Sequence, residues 1–169
     1  QRGWIDDNEV REIKTHHGAF SVTPRKGLRV VSLNTDFWYY FNFYAYINSA
    51  NPDFSGMLRF LTDELLDAEK CGDRVWIVGH VLTGWNGKEA LASPTNLFYQ
   101  IVSRFAPHTL GAIYFGHTHE DQFEVFYFND NGNDKSTDQS TEKAVSIAYI
   151  APSITPYQNL NPTFRVYSV

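Results

Sequence analysis

The order of elements along this 169-residue chain predicts an α/β fold. Three apolar, strand-like runs, at 28–33, 74–78 and 110–115, alternate with two helical patterns, at 58–68 and 95–105. Strands that alternate with helices are joined by right-handed crossovers, which make the strands parallel neighbours. Because the strand-like runs are nearly all apolar, we expect the sheet to be buried on both faces.

Turn residues separate these elements. Residues 24–27 form a turn-like sequence before the first strand, and residues 52–56 offer a start for the first helix. That helix carries apolar residues at three- and four-residue spacing with acidic residues between them, as in a helix packed on a sheet. Residues 71–73 end it, and Pro107 closes the second helical pattern.

The pattern changes after residue 119. Two apolar runs, at 123–128 and 144–150, flank a polar stretch at 129–143. This arrangement predicts a hairpin with a long flexible loop at 129–143. A last apolar run at 164–167 predicts a final strand.

Composition limits the classes of partner. The net charge is −5, and the 14 Lys and Arg residues are spread along the chain without a basic run. Phosphate backbones require clustered cations, so we expect no nucleic-acid polymer as partner, although a nucleotide in a small pocket stays open. No apolar run approaches the ~20 residues that span a bilayer. We expect that the chain is either soluble or lacks its targeting segment.

The single cysteine, Cys71, excludes an intrachain disulfide and a cysteine-based zinc site. The sequence also contains no Asn-x-Ser/Thr glycosylation acceptor. Neither feature therefore supports a secreted location.

Histidines follow glycines at the ends of two predicted strands. His80 comes after the run 74–78, and His117 and His119 come after the run 110–115. Ligands bind at the carboxyl ends of parallel strands, and three neutral imidazoles there would suit zinc or a similar metal. A two-metal hydrolytic site also needs carboxylates, and no bridging Asp can be nominated here. The remaining histidines lie in polar or turn segments and are interpreted as packed or solvated: His16, His17 and His108.

An ordered set of motifs extends this pattern: Leu-Asn-Thr at 33–35, Gly56 before the helix, Gly-His at 79–80, Phe-Gly-His-Thr-His at 115–119, Phe-Glu-Val-Phe-Tyr at 123–127, Ala-Pro-Ser at 151–153 running on to Tyr157, Leu-Asn-Pro at 160–162 and Arg-Val-Tyr at 165–167. Over about residues 18–169, the set resembles the carboxyl-terminal half of the acid sphingomyelinase-like phosphodiesterases, a branch of the calcineurin-like metallophosphoesterases.

The resemblance implies an architecture and an activity. It implies part of a four-layer α/β/β/α sandwich with mixed sheets, in which residues 1–169 are the carboxyl-terminal half of one domain. The implied activity is two-metal hydrolysis of a phosphodiester, such as sphingomyelin or a nucleotide, by metal-bound hydroxide. A secreted or lysosome-like location is implied as well.

The resemblance also implies roles for particular residues. His80 and His117 would share one metal and His119 would bind its neighbour, with two Zn²⁺ ions in the complete enzyme, although other divalent transition metals stay open. Tyr157 would bind the substrate phosphate, or else be a core or rim aromatic. No catalytic residue is assigned, because the general acid is expected in the absent half.

Two departures from the family pattern shape the expectation. The upstream motifs Asp-x-His, Gly-Asp-x-x-Asp and Gly-Asn-His do not occur in this chain, and Val-Leu-Thr-Gly follows His80 where the family commonly has prolines. We expect a piece of a longer enzyme that is inactive alone and whose partner is the missing amino-terminal half. The alternative is a catalytically silent binding protein that keeps the fold.

The segment 37–46 contains eight aromatic residues in ten. Such a segment can line an acyl-chain or base-stacking surface, or contact a membrane interface. It can equally pack against the missing half, and the sequence leaves these alternatives open.

Overall fold

The computed structural model describes residues 3, 5–84, 89–128 and 140–168. Within these ranges the helices are α1 (Asp7–Thr15), α2 (Met57–Cys71) and α3 (Ala92–Phe105). The strands are β1 (Phe20–Arg25), β2 (Leu28–Ser32), β3 (Arg74–Val78), β4 (Leu110–Phe115), β5 (Gln122–Tyr127) and β6 (Ala144–Ile150). No helix in the described ranges is long and apolar enough to cross a membrane.

The strands form one mixed sheet in the order β1-β2-β3-β4-β6-β5. The four central strands, β2, β3, β4 and β6, are parallel, and the edge strands β1 and β5 pair antiparallel with their neighbours. The predicted α/β class with a mixed sheet is therefore confirmed. β5 and β6 are the paired strands of the predicted hairpin, and most of its predicted flexible loop, 129–139, lies outside the described residues.

Helix α2 begins and ends at glycines. Gly56 and Gly72 have φ angles of 69° and 75°, a left-handed backbone that favours glycine. Between them, the buried face of the helix includes Leu61 and Leu65, which lie in one hydrophobic core with residues of β3, β4 and α3. This core fixes the positions of the parallel strands and therefore of the loops at their carboxyl ends.

The expectation that both sheet faces are buried is wrong for the described residues. Helices α2 and α3 contact each other and cover the same face. On the opposite face, Val78, Ile147 and Phe123 keep 39%, 40% and 65% of their surface exposed. The reason lies in the strand order: β2, β3 and β4 follow one another in a single direction, so right-handed crossovers place both helices on one side.

The predicted final strand at 164–167 is also wrong. This segment makes no ladder with a strand of the sheet but lies against the face that α2 and α3 leave uncovered. The Tyr167 ring packs edge-on to Tyr114 and Tyr149, with centroid distances of 5.1 and 5.5 Å. Arg165 forms an ion pair with Asp121, so side-chain contacts rather than backbone pairing hold the segment.

Two amino-terminal elements were not predicted. Helix α1 begins with a capping box, in which the Asp6 side chain accepts from the Glu9 N–H and the Glu9 side chain accepts from the Asp6 N–H. β1 pairs with β2 and contains Pro24, which an edge strand tolerates because it lacks a partner on one side. The Asp-x-x-Glu spacing was a usable signal for α1.

Candidate metal centre

The sheet brings the two Gly-His loops together. β3 and β4 are adjacent and parallel, so their carboxyl ends lie at the same edge. Beyond the strands, the Gly79 N–H donates to the Tyr114 carbonyl at 2.9 Å, and the Gly116 N–H donates to the His80 carbonyl at 3.0 Å. These hydrogen bonds continue the pairing of the strands into the loops and hold His80 beside His117.

A buried threonine shapes the first loop. The Thr35 hydroxyl oxygen accepts from the backbone N–H groups of His80 and Val81, at 2.9 and 2.7 Å. A side chain at position 79 would force its neighbours to move, because a Cβ there would lie 2.6 Å from the Thr35 methyl group and 3.1 Å from Phe115. Thr35 thus determines where the backbone of His80 lies, a role that no sequence pattern indicated.

His80 and His117 face each other through ring nitrogens. Their rings are 5.2 Å apart at 80°, and His80 Nε2 lies 3.4 Å from His117 Nδ1. Two nitrogens bound to one tetrahedral zinc at about 2.0–2.1 Å are separated by roughly 3.3–3.4 Å. The separation of the two nitrogens therefore matches that of a shared metal ion of this size.

The electrostatic environment keeps His80 neutral. Burial lowers the pKa of the His80 imidazole, and the nearby His117 and His119 lower it further, while Asp36 acts in the opposite direction. A metal binds the neutral imidazole, so a lowered pKa keeps His80 competent as a ligand at neutral pH.

Further groups contact His117. Its Nε2 lies 2.9 Å from a carboxylate oxygen of Glu89, and the Tyr39 ring packs edge-on at 4.8 Å between centroids. Burial, followed by the nearby Tyr40 and Glu89, raises the pKa of the Tyr39 hydroxyl. Neither contact was predicted, because Glu89 belongs to no motif and the aromatic segment 37–46, which includes Tyr39, gave no indication that it reaches the histidine.

His119 lies near the pair, close enough to lower the pKa of His80. Its Nδ1 is buried and has no hydrogen-bond partner, and its ring packs edge-on to Tyr157 at 5.6 Å. A buried ring nitrogen without a hydrogen-bond partner is what a metal-binding histidine shows when no metal ion is bound. In the described ranges, no three His, Cys, Asp or Glu residues form a cluster arranged for a metal. The three-histidine site thus stays a prediction. Of its three members, His80 and His117 face each other at 3.4 Å between ring nitrogens.

The backbone at this motif is strained. His117 and His119 have φ angles of 78° and 65°, in the left-handed region that residues with a side chain seldom adopt. The His119 carbonyl accepts from the Ser153 N–H at 3.3 Å, which ties the loop to the segment after β6. Such strain persists where the surrounding structure enforces it, often at functional sites.

Comparison with known proteins shows that the chain is similar to sphingomyelin phosphodiesterases. It is 39% and 38% identical to the sphingomyelin phosphodiesterases of Bos taurus and Homo sapiens, over 166 residues and 98% of its length. It is 34% identical to sphingomyelin phosphodiesterase 2 of Caenorhabditis elegans over the same share. The chain spans only about a quarter of the length of these relatives, 24% to 25%. No protein-family model matches the chain.

The fold is similar to that of a dimetal phosphatase from Danio rerio. The TM-score is 0.50 at 11% identity, over 79% of this chain and 48% of that one, which is evidence for a shared fold alone. Together with the sequence relatives, this similarity confirms the family indicated by the motifs. Over nearly its whole length the chain is thus a homologue of the sphingomyelin phosphodiesterases, and it corresponds to about one quarter of the length of these relatives.

Proposed function

We propose that this chain contributes the histidine ligands of a two-metal phosphodiesterase that hydrolyses a phosphodiester such as sphingomyelin or a nucleotide. The observation that carries the proposal is the 3.4 Å separation of His80 Nε2 and His117 Nδ1 at one sheet edge. The relatives, all sphingomyelin phosphodiesterases by name, support the phosphodiester as substrate class.

In this proposal His80 and His117 hold one Zn²⁺ and His119 holds a second. The orphaned Nδ1 of His119 supports its assignment as a ligand. When bound, two divalent cations neutralise phosphate charge and lower the pKa of a coordinated water. This chain positions both histidines, since Thr35 holds the backbone of His80 and Glu89 contacts the imidazole of His117.

Tyr157 is the proposed contact to the substrate phosphate. Its ring packs against His119 and leaves 57% of the residue exposed, so the hydroxyl has room to donate to a phosphate oxygen. No residue of this chain is assigned as the general acid. We place that group in the remainder of the enzyme.

The uncovered sheet face is the proposed contact for the amino-terminal half of the same domain. Exposed apolar side chains there, such as Phe123 and Ile147, are unusual for the face of a central sheet. A second sheet packed on this face would bury them and complete a four-layer α/β/β/α sandwich. Residues 1–169 would then be the carboxyl-terminal half of one domain.

A membrane surface is a further proposed contact. Between Phe37 and Pro52 the sequence has no charged residue, and four side chains of this stretch are more than half exposed: Phe41, Phe43, Tyr44 and Ile47. Exposed aromatic side chains suit a lipid interface. Liposome flotation of the complete protein tests this contact. Failure to bind vesicles of any composition would assign the segment to protein packing instead.

Hydrolysis of bis-p-nitrophenyl phosphate tests the proposed function. We expect little turnover by the 169-residue chain and chelator-sensitive turnover by the chain associated with its amino-terminal half. Robust chelator-sensitive turnover by the chain alone would contradict the incomplete site. An inactive assembly that binds phosphodiesters would identify a silent binding protein instead.

A further inference from the structure

One carboxylate beside the histidine pair is not among the proposed metal ligands. Glu89 lies at the start of the described segment 89–128, and its Oε2 is 2.9 Å from Nε2 of His117. Both side chains are largely shielded from water, with 25% of Glu89 and 19% of His117 exposed. The contact is therefore more than a solvated surface pair.

We propose that Glu89 is a positioning residue that holds His117 with its Nδ1 lone pair directed at the metal position. This inference rests on the proposed metal site. An ionised carboxylate only accepts hydrogen bonds, so the imidazole nitrogen in contact with Glu89 carries the hydrogen. A neutral imidazole has one N–H, which leaves Nδ1 of His117 as the unprotonated nitrogen.

The same nitrogen is the one that faces His80. His117 Nδ1 lies 3.4 Å from His80 Nε2, the spacing that a shared tetrahedral metal requires. The Glu89 contact therefore selects the tautomer and the ring orientation that leave the correct atom free. A carboxylate on the far nitrogen of a ligating histidine commonly fixes tautomer and orientation in this way.

Glu89 is itself held by backbone pairing. The Tyr40 N–H donates to the Glu89 carbonyl at 3.2 Å, and Tyr39 forms an antiparallel bridge with Ala90. The Leu91 N–H donates to the Trp38 carbonyl at 2.8 Å, which extends this short ladder. A carboxylate on a paired backbone can restrain an imidazole, whereas one on a free loop end would not.

The Tyr39 ring restricts His117 from a second direction. It packs edge-on to the imidazole at 4.8 Å and 78°, so the ring is held between an aromatic face and the Glu89 carboxylate. Tyr39 and Glu89 lie on the two segments that pair at the Tyr39–Ala90 bridge, and of their two contacts with His117 only the one from Glu89 is a hydrogen bond. Removal of the carboxylate is therefore expected to free rotation of the imidazole while the packing contact stays.

The test compares Glu89→Ala, Glu89→Gln and wild type in the 169-residue chain. Zinc affinity is measured by titration against a competing chelator. Loss of the carboxylate is expected to weaken zinc binding about 10- to 100-fold. The amide oxygen of Gln still accepts a hydrogen bond, so Glu89→Gln is expected to lose less than about tenfold. Glu142→Ala is the matched control, because Glu142 is exposed and lies before β6, at the opposite edge of the sheet.

A second readout needs no metal and no activity. With ¹⁵N-labelled histidine, the metal-free wild type is expected to give a His117 Nε2–H signal protected from exchange with water. The signal should persist in Glu89→Gln and disappear in Glu89→Ala. Far-UV circular dichroism of each variant checks that the chain is folded.

The outcomes separate this inference from the proposed function. Zinc binding by wild type that Glu89→Ala leaves unchanged would overturn the role of Glu89 and keep the metal site. Absence of zinc binding by wild type would overturn both. Equal losses in Glu89→Ala and Glu89→Gln would make Glu89 a direct ligand and overturn the positioning role.

Discussion

Glu124 gives the sharpest prediction about stability. It lies on β5 opposite Ala148 and faces the side of the sheet that α2 and α3 cover. A Cβ added at Gly84 would lie 3.2 Å from Oε1 of Glu124, so the carboxyl group lies close to the backbone of Gly84. Burial raises the pKa of Glu124 from its ordinary value of 4.5 to about 7. The folded protein therefore keeps the carboxyl protonated at pH values where the unfolded chain has released the proton.

The sign and size of the effect follow from linkage. Between about pH 4.5 and 7 the unfolded chain binds fewer protons than the folded one, so stability falls as pH rises. The difference between the two pKa values corresponds to at most about 3 kcal/mol. This contribution is fully present below pH 4.5 and lost above pH 7. Glu124→Gln removes the titration and is therefore expected to be more stable than wild type at pH 8 by up to about 3 kcal/mol.

Urea denaturation from pH 4 to pH 8.5 measures this effect. The quantity of interest is the difference in unfolding free energy between wild type and Glu124→Gln at each pH, because the other titrating groups are common to both. Glu142→Gln, at an exposed carboxyl, is the control and should follow wild type. A wild-type to Glu124→Gln difference that stays constant across the range would refute the reasoning.

Three further predictions concern packing and are checked by the same denaturation assay. Thr35→Val leaves two backbone N–H groups without an acceptor and should cost about 2–4 kcal/mol, whereas Thr35→Ser should cost much less; equal costs would contradict the hydrogen-bond role. Gly79→Ala should cost about 1–3 kcal/mol through overpacking, and a neutral result would contradict the close approach. Arg29→Met removes a shielded pair with Glu64 and should cost about 2 kcal/mol, whereas removal of the exposed Arg59 should cost less than about 1 kcal/mol; similar effects would contradict this difference.

The elements that the sequence predicted well have strong local signals. β3, β4 and β6 begin and end where their apolar runs do, and α2 ends where Cys-Gly-Asp predicted. Helix α3 begins at Ala92, three residues before its predicted start at Thr95, because proline is tolerated in a first helical turn. Boundaries set by turn residues were thus easier to predict than boundaries set by tertiary packing.

The burial of the sheet could not be read from apolar strands alone. A run such as Val75 to Val78 is equally apolar whether its second face meets helices, another sheet or nothing. Which face is covered depends on the order of strands in the sheet, and that order is a long-range property. For the same reason, the apolar run 164–167 was predicted as a strand, although its Tyr167 ring packs edge-on against Tyr114.

The candidate site was predictable in part. His80 and His117 follow glycines at the ends of parallel strands, so topology alone brings them together. Thr35 begins a short 3-10 helix and Glu89 lies outside the strands and helices, and their contacts with the histidine loops arise only from the folded chain. His119 shares a motif with His117, and its ring packs against Tyr157, a contact that arises only in the folded chain.

Zinc titration of the 169-residue chain and its histidine variants tests the central claim most directly. If His80 and His117 share one metal, replacing either by Ala should abolish the tightest zinc site. His108→Ala should leave that site unchanged, because His108 is exposed and lies before β4 at the opposite edge of the sheet. Unchanged zinc affinity in both His80→Ala and His117→Ala would contradict the claim.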